Sequence, residues 1–96
     1  MDARKMRRIR RAQILETASR HGVSEVRVFG SVVSGHAHAD SDIDFLVKAS
    51  DSTSPWFPVG LMLELEELLG RKVDVVTEDA LHWYIREKVL AQAVPL

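Results

Sequence analysis

Polar and apolar side chains alternate from Glu25 to Phe29, and the same alternation returns from Asp42 to Lys48. A period of two marks an extended strand with one face toward a core. In the second stretch Ile43, Phe45 and Val47 share one face, and Asp42, Asp44 and Leu46 share the other. A third strand is predicted over Lys72–Thr77, where Val73, Val75 and Val76 crowd around Asp74. Residues 3–20 behave differently. They lack glycine and proline and are rich in Arg and Ala, with Gln13 and Leu15 among them, all of which favour a helix. Ile14, Leu15 and Ala18 fall on one face of it. Met6 and Ile9 fit that face poorly, so the first turns are expected to be frayed or held by a partner. His21-Gly22 ends the helix. A second helix is read from Leu61, Leu65, Leu68 and Leu69, with Glu64, Glu66 and Glu67 on the remaining surface and Gly70 closing it. A last helix over about residues 80–91 turns Leu81, Ile85, Val89 and Leu90 inward, and Pro95 stops it. The tail beyond is too short to carry a pattern.

Residues 31–41 are small and polar and read as a short helix or turn followed by a loop. Residues 51–58, with Ser-Thr-Ser and two prolines, are a loop. The order helix, strand, turn, strand, helix, strand, helix predicts an α/β fold, a small sheet covered by helices. The short link between the first two strands suits either a hairpin-like return or a small crossover, which leaves the strand directions open.

Ninety-six residues make one domain, 1–96, with a modest core and no room for a large substrate pocket unless a partner helps form it. No apolar run approaches the length of a membrane span. The basic N-terminus lacks the apolar centre of a secretion signal. The absence of cysteine excludes disulfides and thiolate metal sites and suits a reducing compartment, so a cytoplasmic location is expected. The net charge of −1 conceals an asymmetry: residues 1–24 balance at +5 and residues 25–96 at −6. The basic end suits either a solvated helix face or a contact with nucleic acid or an acidic partner.

The chemistry concentrates between residues 28 and 47. Gly30-Ser31 stands at a strand end before a short helix candidate. Glycine lets the backbone turn sharply and approach a ligand. Amides at a helix start, with the Ser31 hydroxyl, suit the β- and γ-phosphates of a nucleotide. Asp42 and Asp44, one residue apart in a strand, emerge on the same face. Adjacent carboxylates repel each other, and a divalent cation with oxygen ligands removes that repulsion. A two-metal site needs a third carboxylate, and Asp74, among valines in a third strand, is the candidate.

Gly30-Ser31, the gap containing Gly35, Ser41-Asp42-Ile43-Asp44-Phe45-Leu46-Val47 and Leu69-Gly70-Arg71-Lys72-Val73-Asp74-Val75-Val76 resemble the minimal nucleotidyltransferases of the DNA polymerase beta superfamily. The resemblance covers about residues 10–96. It implies a mixed β-sheet packed against helices, ATP as substrate and two Mg²⁺ ions as cofactors. Gly30 and Ser31 would bind nucleotide, and Asp42, Asp44 and Asp74 would be both metal ligands and catalytic residues. The small members of the family that this chain is most like act as antitoxins beside an HEPN-domain toxin, and some attach AMP to a tyrosine of it. The implied partners are therefore an HEPN toxin in a hetero-oligomer and ATP. One departure stands out: many members carry Arg just before the glycine matching Gly35, and this chain has Ser34.

Other residues have plainer readings. His36 and His38 suit a solvated loop better than Mg²⁺, which prefers oxygen. Lys48 is either a solvated strand end or a phosphate contact. Trp56 and Phe57 are expected to anchor their loop, with stacking on an adenine or a partner as the alternative. Trp83 and Tyr84 fit packing or a partner surface, and Arg71-Lys72 a solvated turn. The function expected is transfer of AMP to a hydroxyl of a partner protein. The alternatives are a binding antitoxin without catalysis, or a transferase for a small molecule or for RNA, the last through the Arg-rich N-terminus.

Overall fold

The structure, a computed structural model, describes residues 3–30, Val33 and 42–96. In chain order these form α1 (Ala3–Arg20), β1 (Val23–Phe29), β2 (Ile43–Ala49), α2 (Val59–Leu69), β3 (Val73–Thr77), a 3-10 turn (Glu78–Ala80), α3 (Trp83–Gln92) and β4 (Val94–Pro95). The sheet order is β3-β2-β1-β4. β1 runs antiparallel to both β2 and β4, whereas β2 and β3 are parallel. The link after β1 is therefore a return, and α2 lies in the crossover that a parallel pair requires. The result is the expected α/β fold with a mixed sheet.

The core forms on one face of the sheet. Val26 and Val28 of β1, Ile43, Phe45 and Val47 of β2, and Val73 and Val75 of β3 are buried there with Ile14 and Ala18 of α1 and Leu61 and Leu65 of α2. Fully burying a side chain such as Phe45 contributes about 1.5–3 kcal/mol. β1 begins earlier than the alternation suggests because the pairing shifts register between Val23 and Glu25. That irregularity carries Val23 onto the same buried face as Val26, two positions whose spacing would otherwise oppose them. Ile14 and Ala18 are buried as expected, and Ile9, 48% exposed, does lie off the packed face.

Gly70 adopts the left-handed conformation (φ 67°) that closes α2, its amide donating to the Glu66 carbonyl at 2.8 Å. The Glu66 side chain accepts from the Val73 amide at 3.0 Å, so the end of α2 sets the start of β3. Loop 51–58 is held by His21. Its Nδ1 meets the Ser54 hydroxyl, its carbonyl accepts from the Ser54 amide, and its Nε2 lies 3.1 Å from Glu64 of α2. Phe57 packs against the core, but Trp56 is 85% exposed with φ 65°, so only Phe57 anchors the loop.

The C-terminal region departs most from the sequence reading. A single helix over 80–91 does not form. The backbone is extended at Leu81 and His82 between the 3-10 turn and α3. Leu81, Val89 and Leu90 are only partly buried, Ile85 is 40% exposed, and α3 has no buried residue. Polar contacts place this region instead: Arg86 donates to the Glu78 carbonyl at 2.8 Å, and Arg27 bridges Glu25 and Glu78. The tail is structured. Val94 and Pro95 pair with Val28 and Arg27, and Leu96 is buried with its amide on the Val26 carbonyl. Proline is tolerated because β4 is an edge strand. Arg11 of α1 donates to the Leu96 carbonyl at 3.0 Å and joins the two ends of the chain.

Glu64 accepts from His21, and with Arg20 nearby its carboxyl is held below its ordinary value, the His21 hydrogen bond being the largest cause. A depressed carboxylate contributes stability that is present above its unfolded pKa and lost as pH falls through its folded one. Glu64→Gln is therefore expected to lower the urea midpoint at neutral pH. Its deficit against the parent chain should shrink and vanish as pH falls through the depressed pKa of Glu64. A deficit of constant size through that acidification would assign the loss to packing.

Candidate active site

β2 and β3 run side by side in the same direction, with Ile43 beside Val73, Asp44 beside Asp74 and Phe45 beside Val75. Because side chains alternate along both strands, Asp44 and Asp74 emerge together on the face opposite the core. Asp42 sits just before β2, exposed, on that same parity. Burial raises the pKa of Asp44, and the negative charges of Asp74 and then Asp42 raise it further. The three carboxylates thus share one electrostatic neighbourhood. Asp74 is exposed, not enclosed by its valines, since Val73 and Val75 turn inward and only they are buried. Leu46, on the same parity as Asp44, is buried between the β-ladder neighbours Arg27 and Val76.

Gly30 ends β1 next to this cluster. Its φ is +77°, and a Cβ there would collide with the Asp44 carboxylate. The positive φ strains any other residue, and a Cβ would have to displace the Asp44 carboxylate. The Gly30 carbonyl accepts from the Val33 amide at 3.1 Å, which begins a helical turn. The Gly30 amide donates to the Gln92 side chain at 3.2 Å. Gly30 thus supplies space beside Asp44, while its own amide is already engaged. Ser31, Ser34, Gly35, His36 and His38 lie outside the described residues.

The donor set fits a hard divalent cation. It offers only carboxylate oxygens, and among the described residues none of the three aspartates takes part in an ion pair that would neutralise it. As the side chains stand, no three acidic or histidine groups among the described residues are closed around a metal-sized space, so sharing an ion requires side-chain rotation. A pocket of about 200 Å³ lies at the other end of the same strands, lined by Val47, Lys48, Ala49, Thr77, Glu78 and Asp79. It contains none of the three aspartates Asp42, Asp44 and Asp74 and is no part of their cluster. Lys48 is exposed beside it, away from Asp44.

The residue missed in the sequence is Gln92. Nothing in its helical period distinguishes it. Only the pairing of β4 with β1 brings it to the glycine turn. Trp83 and Tyr84, 80% and 67% exposed, pack on no core and meet His82 and each other at tilted or edge-on angles on the surface. Among the described residues no helix is long and apolar enough to cross a membrane.

Comparison with known proteins bears on the family and the fold. Residues 11–95 match the model of the nucleotidyltransferase domain. The protein adenylyltransferase MntA of Thermococcus cleftensis is 42% identical over 79 residues, which is 82% of this chain and 80% of the relative. A solved structure described as a candidate minimal nucleotidyltransferase superposes with a TM-score of 0.84 at 45% identity, over 100% of this chain and 97% of the other. A tri-AMPylated Shewanella oneidensis HEPN toxin in complex with MNT antitoxin also matches, with a TM-score of 0.69 at 21% identity, over 94% of this chain and 71% of that one. At that identity the likeness is one of fold. A match this long on so similar a backbone settles the family: the chain belongs to the nucleotidyltransferase domain family.

Proposed function

We propose that this protein transfers AMP from ATP to a hydroxyl of an HEPN toxin, a tyrosine hydroxyl, and thereby acts as its antitoxin, with Mg²⁺ as cofactor. The observation that carries the reading is the pairing of Asp44 with Asp74 across parallel strands beside the Gly30 turn. Support comes from the family and from the Thermococcus relative, whose name is protein adenylyltransferase. The HEPN partner is suggested by the AMP-bearing toxin in the Shewanella complex.

The chemistry follows from the residues. The turn after Gly30, with Ser31, holds the triphosphate tail, because amides at a helical start favour anionic oxygen. The acceptor oxygen forms a bond to the α-phosphorus as the bond from that phosphorus to the bridging oxygen breaks, and pyrophosphate leaves. The acceptor's proton passes to a carboxylate. Asp74, exposed at the cluster, is open to an incoming hydroxyl. Asp42 and Asp44 would hold ions together with Asp74. Bound Mg²⁺ would acidify the attacking hydroxyl and neutralise the departing pyrophosphate. Holding donor and acceptor in line supplies much of the remaining acceleration.

Incubation with the HEPN toxin and labelled ATP should place AMP on the toxin only when Mg²⁺ is present. Asp42→Asn, Asp44→Asn or Asp74→Asn should each lower the rate at least ~100-fold. Transfer by a variant lacking both Asp42 and Asp44 would refute the assignment. Mass spectrometry of the product checks the acceptor: a modified residue other than tyrosine would correct that part alone.

Asp44 also predicts a trade between activity and stability. A raised carboxyl contributes stability that is complete below its unfolded pKa and lost as pH rises through its folded one. In chelator at neutral pH, Asp44→Asn should melt above the parent chain, and the gap should close on acidification. Adding Mg²⁺ should raise the parent's melting temperature and not the variant's, by mass action on the folded state. Equal melting with and without Mg²⁺ in the parent would argue against ion binding at the cluster.

A further inference from the structure

The geometry points to Gln92 as the residue that positions the nucleotide turn, an inference that rests on the proposed nucleotide-binding role of that turn. β4 pairs with β1 through Val28 beside Val94 and Arg27 beside Pro95. Continuing that antiparallel register by two residues sets Gly30 opposite position 92. The backbone there is no longer extended, because Gln92 ends α3. A main-chain carbonyl is therefore not presented to the Gly30 amide. The Gln92 side chain takes its place, its Oε1 accepting from Gly30 at 3.2 Å. The ladder is carried one step further by a side chain, to the residue where the strand becomes the turn.

That step matters because of what Gly30 must do. Its φ of +77° is open to few residues, and the space where a Cβ would be belongs to the Asp44 carboxylate. Its carbonyl starts the turn at Val33. The peptide that Gln92 holds thus fixes both the approach to Asp44 and the carbonyl that receives the Val33 amide. The hydrogen bond links positions separated by 62 residues. Apolar packing offers α3 little alternative means of doing this, since the helix has no buried residue. Gln92 touches no reacting atom in this account. It acts through the Gly30 backbone, so its loss should weaken nucleotide binding and leave the chemical step alone.

The test is calorimetric binding of AMP-PNP with Mg²⁺ to the full chain, alongside steady-state transfer to the toxin. Gln92→Met keeps the length and removes the acceptor. Gln92→Asn keeps the amide one methylene short. Leu96→Ala loosens the same tail without touching the Gly30 amide. Both Gln92 variants should bind AMP-PNP about 3- to 10-fold more weakly, the effect of one lost hydrogen bond, with KM for ATP raised to match. Their kcat and KM for the toxin should stay at parent values. Leu96→Ala should lower the melting temperature and keep parent affinity. If the parent binds AMP-PNP and both Gln92 variants bind equally well, the positioning role is overturned while the proposed function stands. If Leu96→Ala weakens binding as much as the Gln92 variants do, Gln92 is only an anchor for the tail, and the inference is again overturned. If the parent does not bind AMP-PNP, both the inference and the function beneath it fall.

Discussion

Two like charges in register across neighbouring parallel strands are the constraint around which this domain is arranged. Asp44 and Asp74 emerge together on the face away from the core, and Asp42 adds a third negative charge. Nothing in folding rewards that placement. The raised pKa of Asp44 records its cost, first from burial and then from its two neighbours. The remainder of the sheet tolerates the cost because the opposite face is densely apolar. Ile43, Phe45, Val73 and Val75 alternate with the acidic positions and lock the register that brings the carboxylates together. A slip of one residue in either strand would bury a carboxylate and expose the core, so packing on one face enforces proximity on the other.

The glycine turn belongs to the same arrangement. β1 and β2 are antiparallel, so the end of β1 returns to the start of β2, where the carboxylates are. Gly30 meets Asp44 so closely that a Cβ there would have to displace its carboxylate. Strand direction thereby holds the glycine turn and the carboxylates side by side. β1 is in turn flanked on its other side by the short β4, and Arg11 of α1 binds the Leu96 carbonyl beyond it. The peripheral elements serve less to enlarge the core than to hold the strand that ends in the turn.

How much of this could be read in advance depended on whether the signal was local. Alternation around Ile43, Phe45 and Val47 disclosed β2 and its buried face, because period-two burial is written directly in the side chains. The leucines of α2 and the αL stop at Gly70 were legible for the same reason. Val23 was missed because a register shift breaks the alternation from which strands are recognised. The last helix was drawn too long and too deep. Leu81, Ile85 and Val89 fit a helical stripe, yet Arg27, Glu78 and Arg86 place the region by polar contacts that periodicity does not encode. Of the candidate site, the aspartates and Gly30 were visible because their spacing implies shared parity. The exposure of Asp74 was not, since three valines suggest enclosure until it is known which of them turn inward. Gln92 left no local trace at all, its partner being set by a strand of two residues.

The pairing of β4 with β1 has a consequence for how the molecule comes into being. On a ribosome, β1 and the residues of the turn emerge early, while the segment that flanks them is made after every other element. Contacts between parts so distant along the chain close late, because the loop between them must be ordered first. A nascent chain can begin gathering α1, β1, β2 and α2 around their common core. It cannot secure the Gly30 peptide until residues 92–96 have been synthesised and released from the exit tunnel. The Gly30 peptide would then be secured only after the core elements that precede β4 have begun to gather.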